Sequence, residues 1–136
     1  MADEQAPITI LIVEDDHMLQ ELYLERFSEA GLNVLQAFDG MEALQMVNEH
    51  PEIQLVLLDI MLPKVSGYDV LVQIRHNPDR KMLPVIVVSA LSDIDDQARG
   101  LQLGANDYIT KGEMLPASII EKIQKYALSV SGATQE

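Results

Sequence analysis

Apolar positions along this chain follow two alternating rhythms. Five short runs are dense in aliphatic and β-branched residues: ITILIV (8–13), NVLQAF (33–38), QLVLLD (54–59), PVIVVS (84–89) and NDYIT (106–110). Ile8 to Val13 and Val85 to Val88 are almost unbroken, as in strands covered on both faces. Between the runs apolar residues return at helical spacing. Leu19, Leu22, Tyr23, Phe27 and Ala30 make one stripe; Leu115, Ile119, Ile120, Ile123, Tyr126 and Ala127 make another.

Helix boundaries are marked by their own chemistry. Asp39 with Glu42, and Ser66 with Asp69, have the spacing of a capping box. Gly31 stands where a C-terminal cap glycine belongs, and Pro51 follows the second helix. Strand and helix thus alternate five times, which predicts an α/β fold: one five-stranded parallel sheet with right-handed crossovers. The expected domain runs from residue 7 to 130, with polar tails at 1–6 and 131–136.

Composition narrows the partners. Nine Lys and Arg against 22 Asp and Glu leave a formal charge of −13. Such a surface repels nucleic acid and anionic membranes, so neither is expected as a direct partner. The absence of cysteine excludes disulfides, thiolate catalysis and cysteine metal sites. No stretch reaches the ~20 apolar residues of a membrane span, and MADEQAP lacks the marks of a signal peptide. The expected location is the cytoplasm.

In an open parallel sheet, ligands bind beyond the carboxyl ends of the strands. The first run closes on Glu14-Asp15-Asp16, the third on Asp59, the fourth on Ser89 and the fifth on Lys111. Singly each has an ordinary explanation: a solvated acidic turn, a strand-end hydroxyl, a surface lysine. Asp39, after the second run, is a helix cap. Four polar residues at one rim point instead to a site. Converging carboxylates repel and raise one another's pKa unless a cation joins them, and Mg²⁺ suits such a set. With a metal, the Lys111 ammonium and the Ser89 hydroxyl around it, Asp59 is placed as the nucleophile of a phosphoryl transfer, forming an aspartyl phosphate.

Competing sites fail on specifics. The first turn carries acids where a dinucleotide fold carries G-x-G-x-x-G, and no G-x-x-x-x-G-K-[ST] occurs. The calcium-loop-like DIDDQARG has Gly104 at its twelfth position instead of Glu. His17, His50 and His76 lie outside metal spacing, and Ser89 lacks the G-x-S-x-G elbow.

LIVEDD, LLDIMLPKVSG, VIVVSA and GANDYITK, with Pro63 and Gly67 four and eight residues after Asp59, resemble the receiver domains of two-component response regulators. The resemblance covers nearly the whole chain and implies a flavodoxin-like three-layer sandwich with strand order 2-1-3-4-5. It implies that Asp59 takes a phosphoryl group from a sensor histidine kinase or phosphotransfer protein. It also implies that Glu14, Asp15, Asp59 and the Met61 carbonyl hold Mg²⁺, with Asp16 secondary. Ser89 matches the switch hydroxyl, Lys111 the phosphate-binding lysine and Tyr108 the aromatic that moves with Ser89.

A domain of this kind switches the binding of a downstream protein. The resemblance implies no enzyme activity beyond assisting its own phosphorylation and dephosphorylation. Two departures stand out: Lys111-Gly112 replaces the usual Lys-Pro, and Ser66 replaces a frequent Asp. A cis bond before a non-proline residue costs ~2.5–4 kcal/mol, so a trans Lys111-Gly112 bond is expected. The resemblance implies that Met61 and Leu91, two residues beyond the nucleophile and the switch hydroxyl, border the pocket mouth, so that apolar groups are expected where a hydrolytic water would approach.

Two other functions suit the same fold. A receiver-like interaction module that is never phosphorylated keeps the fold, with Lys111-Gly112 as a sign of drift. A flavodoxin-like cofactor carrier is disfavoured by 4% aromatic residues and no Trp.

Overall fold

The structure is a computed structural model that describes residues 7–91, 93–112 and 115–133, the side chains of 129–133 excepted. Five strands, β1 (Thr9–Val13), β2 (Asn33–Ala37), β3 (Leu55–Leu58), β4 (Val85–Ser89) and β5 (Asp107–Thr110), form a parallel sheet ordered β2-β1-β3-β4-β5. Each expected run contains its strand but overreaches it. Asn106, assigned to the fifth run, lies outside β5, where its side-chain oxygen accepts from the Val85 N–H at 2.9 Å. Pro84 has no N–H to donate, so β4 begins one residue later, although the Pro84 carbonyl still accepts from Val56.

Five helices connect the strands: α1 (His17–Glu29), α2 (Gly40–Glu49), α3 (Gly67–His76), α4 (Ile94–Gln102) and α5 (Pro116–Ala133). Their starts follow the capping residues. Asp16 accepts from Leu19 N, Asp39 from Glu42 N and Ser66 from Asp69 N. Glu42 reaches back past the cap and accepts from Phe38 N at 2.7 Å, one residue before the cap N–H that a capping box would use. Gly31 takes φ +90° just beyond α1, a conformation that side chains with a Cβ avoid. Helix α5 runs through Ala133, so the tail expected from residue 131 begins inside a helix; residues 1–6 and 134–136 lie outside the described residues.

Alternate strand residues face opposite layers, which divides the core in two. Leu11, Val13, Val56, Leu58, Val85 and Val87 pack with α2 and α3, and Ile10, Ile12, Leu55, Leu57, Ile86 and Val88 pack with α1 and α5. This is the expected three-layer sandwich. β1, β3 and β4 are buried along their whole lengths, as their apolar runs require.

The helical stripes need correction. On α1 the buried residues are Gln20, Tyr23 and Phe27, whereas Leu22 and Ala30 are exposed. Leu115 also points outward, ahead of α5. Helix α4 buries only Gly100, against which the Tyr108 ring lies so close that an added Cβ would come within 3.0 Å of it.

Candidate functional site

The register of the sheet lines up the strand ends that the site uses. Val13 pairs with Leu58 and Ser89 with Thr110, so Glu14, Asp59 and Lys111 each emerge one residue past a strand at the same rim. The ladder continues into these residues. Glu14 N–H donates to Ala37 O, Asp59 N–H to Val13 O, and Lys111 N–H to Ser89 O at 2.7 Å. The backbone of each functional residue is therefore fixed by the sheet and not left to a loop.

Glu14 and Asp59 are almost fully buried, at 3% and 4% exposure, although both are acids. A buried carboxylate needs a partner, and Lys111 serves both. Its Nζ lies 2.8 Å from Glu14 Oε1 and 3.1 Å from Asp59 Oδ2. The remaining oxygens are met by backbone: Asp16 N–H donates to Glu14 Oε2 at 3.1 Å, and Met61 N–H to Asp59 Oδ1 at 3.2 Å. Gly67 closes the β3–α3 loop against Asp59, where any Cβ would collide with the Asp59 carbonyl at 2.2 Å.

Burial pushes the Glu14 carboxyl above its usual 4.5, and the Asp59 charge adds to that. The Lys111 bond and the Asp16 N–H only partly offset it. Burial works in the opposite sense on Lys111. The Glu14 hydrogen bond and the Asp59 charge outweigh it and hold the ammonium above 10.5. One cation facing two buried acids accounts for both directions: Lys111 has a surplus of partners and Glu14 a deficit.

Asp15 stands beside them, exposed to water. Carboxylate oxygens of Glu14, Asp15 and Asp59 lie within 4.8 Å of one another. Three carboxylates and one ammonium leave a formal charge of −2, which one divalent cation neutralises. All the side-chain donors are hard oxygens, and one ligand faces solvent, so the residues fit an ion that keeps much of its water. Met61, expected as a carbonyl ligand, meets Asp59 through its N–H, while its side chain is 58% exposed.

Ser89 and Tyr108 occupy the neighbouring junction between β4 and α4. Ser89 is fully buried, and its Oγ accepts from Leu91 N–H at 3.2 Å. The half-buried Tyr108 donates its hydroxyl to Leu91 O at 2.9 Å. Both hold one residue of the junction, and among the described contacts the Ser89 hydroxyl does not reach Asp59. The Lys111-Gly112 bond is trans, as expected, with Gly112 at φ +87°.

Asp16 proves to be the α1 cap and supplies the amide that orients Glu14. The sequence does not reveal that Gln20 is buried with its Nε2 facing the Glu14 carbonyl at 3.1 Å. Its one signal was a polar residue three and seven positions before the buried Tyr23 and Phe27.

The family model described as the response regulator receiver domain matches residues 10–124. The chain is 43% identical over 103 residues to the transcriptional regulator ycf27 of Porphyridium aerugineum, covering 75% of this chain and 41% of that protein. It is 38% identical over 130 residues to the transcriptional regulatory protein YrkP of Bacillus subtilis, covering 93% and 54%. The chain thus spans about half the length of the curated relatives it matches.

Among solved structures, a CheY-like response regulator receiver domain protein from Methanospirillum hungatei superposes with a TM-score of 0.84 at 26% identity, over 93% of this chain and 98% of that one. The receiver domain of the Francisella response regulator 1452 gives 0.83 at 28% identity, over 90% and 98%.

Proposed function

The chain belongs to the receiver domains of two-component response regulators, and from that premise we propose that Asp59 is its phosphoryl acceptor and Lys111 its phosphate-binding cation. The observation that carries this reading is the bridge from Lys111 to both Glu14 and Asp59 at the rim of the sheet. An Asp59 oxygen attacks phosphorus, and the bond to the donor nitrogen of a sensor histidine kinase or phosphotransfer protein breaks. The acyl phosphate that forms leaves Asp59 without its own carboxylate charge and sets the charged phosphoryl oxygens beside it, and Lys111 turns to those oxygens.

Glu14, Asp15 and Asp59, with the Met61 carbonyl, would hold Mg²⁺. When bound, the ion neutralises charge that gathers on the phosphoryl oxygens. Ser89 answers the new group by turning its hydroxyl toward it and releasing the Leu91 amide. Because Tyr108 grips the other side of Leu91, the β4–α4 junction and Tyr108 repack together. That second packing is what a downstream protein reads. The domain acts on its own aspartate, turns over no separate substrate and touches no nucleic acid itself. A cytoplasmic location, where the donor kinase presents its phosphoryl group, fits this role. No helix among the described residues is long and apolar enough to cross a membrane.

Incubation with acetyl phosphate and Mg²⁺ should add one phosphoryl group to the intact protein by mass spectrometry, and none to Asp59→Ala. An unmodified wild-type protein under conditions that phosphorylate other receivers would support the reading as a silent interaction module.

A further inference from the structure

Of the three acids that face one another, two are held by their side chains. Glu14 is fixed by Lys111 and Asp16 N–H, and Asp59 by Lys111 and Met61 N–H. Among the described residues, the Asp15 carboxylate has no hydrogen bond or ion pair of its own. Its direction is set only by its backbone, which begins at the Glu14–Asp15 peptide plane. That plane is gripped from inside the protein. The Gln20 side chain, 1% exposed, points its Nε2 at three carbonyls: Ile12 at 3.1 Å, Glu14 at 3.1 Å and Ala37 at 2.9 Å.

Three carbonyl oxygens accept only, so the amide nitrogen and not the oxygen must face them. Gln20 Oε1 is then free to accept from Gln36 Nε2 at 3.1 Å, and the same nitrogen reaches Gln20 O at 3.3 Å. One buried amide therefore ties α1 to the ends of β1 and β2 at the turn that presents the acid pair. A helix position that packs beside Tyr23 and Phe27 would be served by leucine if packing were its only duty.

We infer that Gln20 is a positioning residue for the cation site: it fixes the Glu14 carbonyl and thereby aims the otherwise unsupported Asp15 carboxylate at Glu14 and Asp59. This rests on the reading of that cluster as a divalent-cation site. Residues that orient metal ligands typically contribute about 10- to 100-fold to affinity when removed.

The test replaces Gln20 with Met, which keeps the volume and removes the donors. Mg²⁺ affinity, followed by chemical shifts in the unphosphorylated protein, should weaken by about 10-fold. In the metal-free protein, amide exchange at Glu14 and Asp16 should accelerate. As a control, Ile53→Val at the opposite end of the sheet lowers thermal stability but leaves Mg²⁺ affinity unchanged. If Gln20→Met does not fold, Gln36→Met, which removes the bonds to Gln20 Oε1 and to the Gln20 carbonyl but leaves the Gln20 donors in place, should weaken Mg²⁺ by about 3-fold, less than loss of the direct partner. Saturable wild-type binding with unchanged affinity in the folded variants would overturn the role of Gln20 alone. Absence of Mg²⁺ saturation in the wild type would overturn the cation site itself.

Discussion

The Asp59 carboxylate and the Lys111 ammonium stand 3.1 Å apart, although 52 residues of chain separate them. The lysine is the internal counterion of a cluster that holds more acid than it can neutralise. It therefore competes with any cation that enters, and it is released to a new partner when Asp59 loses its charge.

Replacing Lys111 with Met should separate these two duties. The remaining acids attract Mg²⁺ more strongly, tightening binding by about 3- to 10-fold. The switch fails in the opposite direction: acetyl phosphate still modifies Asp59, but the shift of Leu91 and Tyr108 signals that accompanies modification is lost. Titration and spectra of the phosphorylated variant check both parts. Weaker Mg²⁺ binding in Lys111→Met would contradict the role of competing counterion.

The raised pKa of Glu14 has a pH signature. Its folded value lies above 4.5, so between that value and 4.5 the folded protein binds more protons than the unfolded chain. Stability of the metal-free protein therefore rises as pH falls through this window, and this contribution is lost again as pH rises through the folded pKa. Asp39 and Asp107 are held below 3.8, Asp39 by the Glu42 N–H that it caps and Asp107, against its burial, mainly by Lys122. Their contributions run the other way and are lost progressively below about pH 5, so the Glu14 effect is read as a difference from Glu14→Gln, in which both Asp contributions cancel. In urea titrations at a series of pH values, the wild type should gain on Glu14→Gln as pH falls toward 4.5. Parallel curves would show that Glu14 titrates alike in both states. Over the same window protons compete with Mg²⁺, whose affinity should fall.

Most of the fold and the rim were legible because both are written in local patterns. A parallel strand buried on two faces needs a continuous apolar run, and each run announces the residue that closes it. Glu14, Asp59, Ser89 and Lys111 could be placed at one rim from those ends alone. Pairing was not legible. That Lys111 bridges two acids, that Ser89 turns to Leu91, and that Gln20 lies in the core depend on side-chain directions across β1, β3, β4 and α1. Gln20 is the sharpest case, since an exposed glutamine and a buried one look alike in sequence. The distinction comes from three carbonyls contributed by residues 12, 14 and 37.

Lys64 marks stored strain beside the site. It has φ 71° and sits at the centre of a tight turn in which Val65 N–H donates to Pro63 O at 2.8 Å. Left-handed backbone costs a residue with a Cβ roughly 1–2 kcal/mol, and glycine avoids this at a smaller entropic cost. The compensating pair, Lys64 with Asp39 at 3.6 Å, is exposed on the lysine side and contributes little. Lys64→Gly should therefore raise stability by about 1 kcal/mol in urea unfolding. A loss of stability would mean that the Asp39 contact outweighs the backbone term.

The lifetime of the phosphorylated state follows from what borders the rim. Hydrolysis of an aspartyl phosphate needs a water in line with the breaking bond, and a nearby amide or carboxylate can hold it there. Met61 is 58% exposed at the mouth, while Leu91 is half-buried and pinned at both ends of its backbone by Ser89 and Tyr108. Neither side chain offers a hydrogen-bonding group. A positioned proton-transfer group contributes ~10²-fold or more, and apolar cover further lowers water occupancy. Phosphorylated wild-type protein should therefore decay slowly. Met61→Asn, at an exposed position where an amide costs little stability, should shorten the lifetime by about 10-fold. Leu91→Glu should act in the same direction, with some loss of stability because Leu91 is half-buried against the core. Decay is read from intact mass against time, with Mg²⁺ saturating in every sample. If Met61→Asn decays no faster than wild type, the water reaches phosphorus by a path that these two side chains do not border.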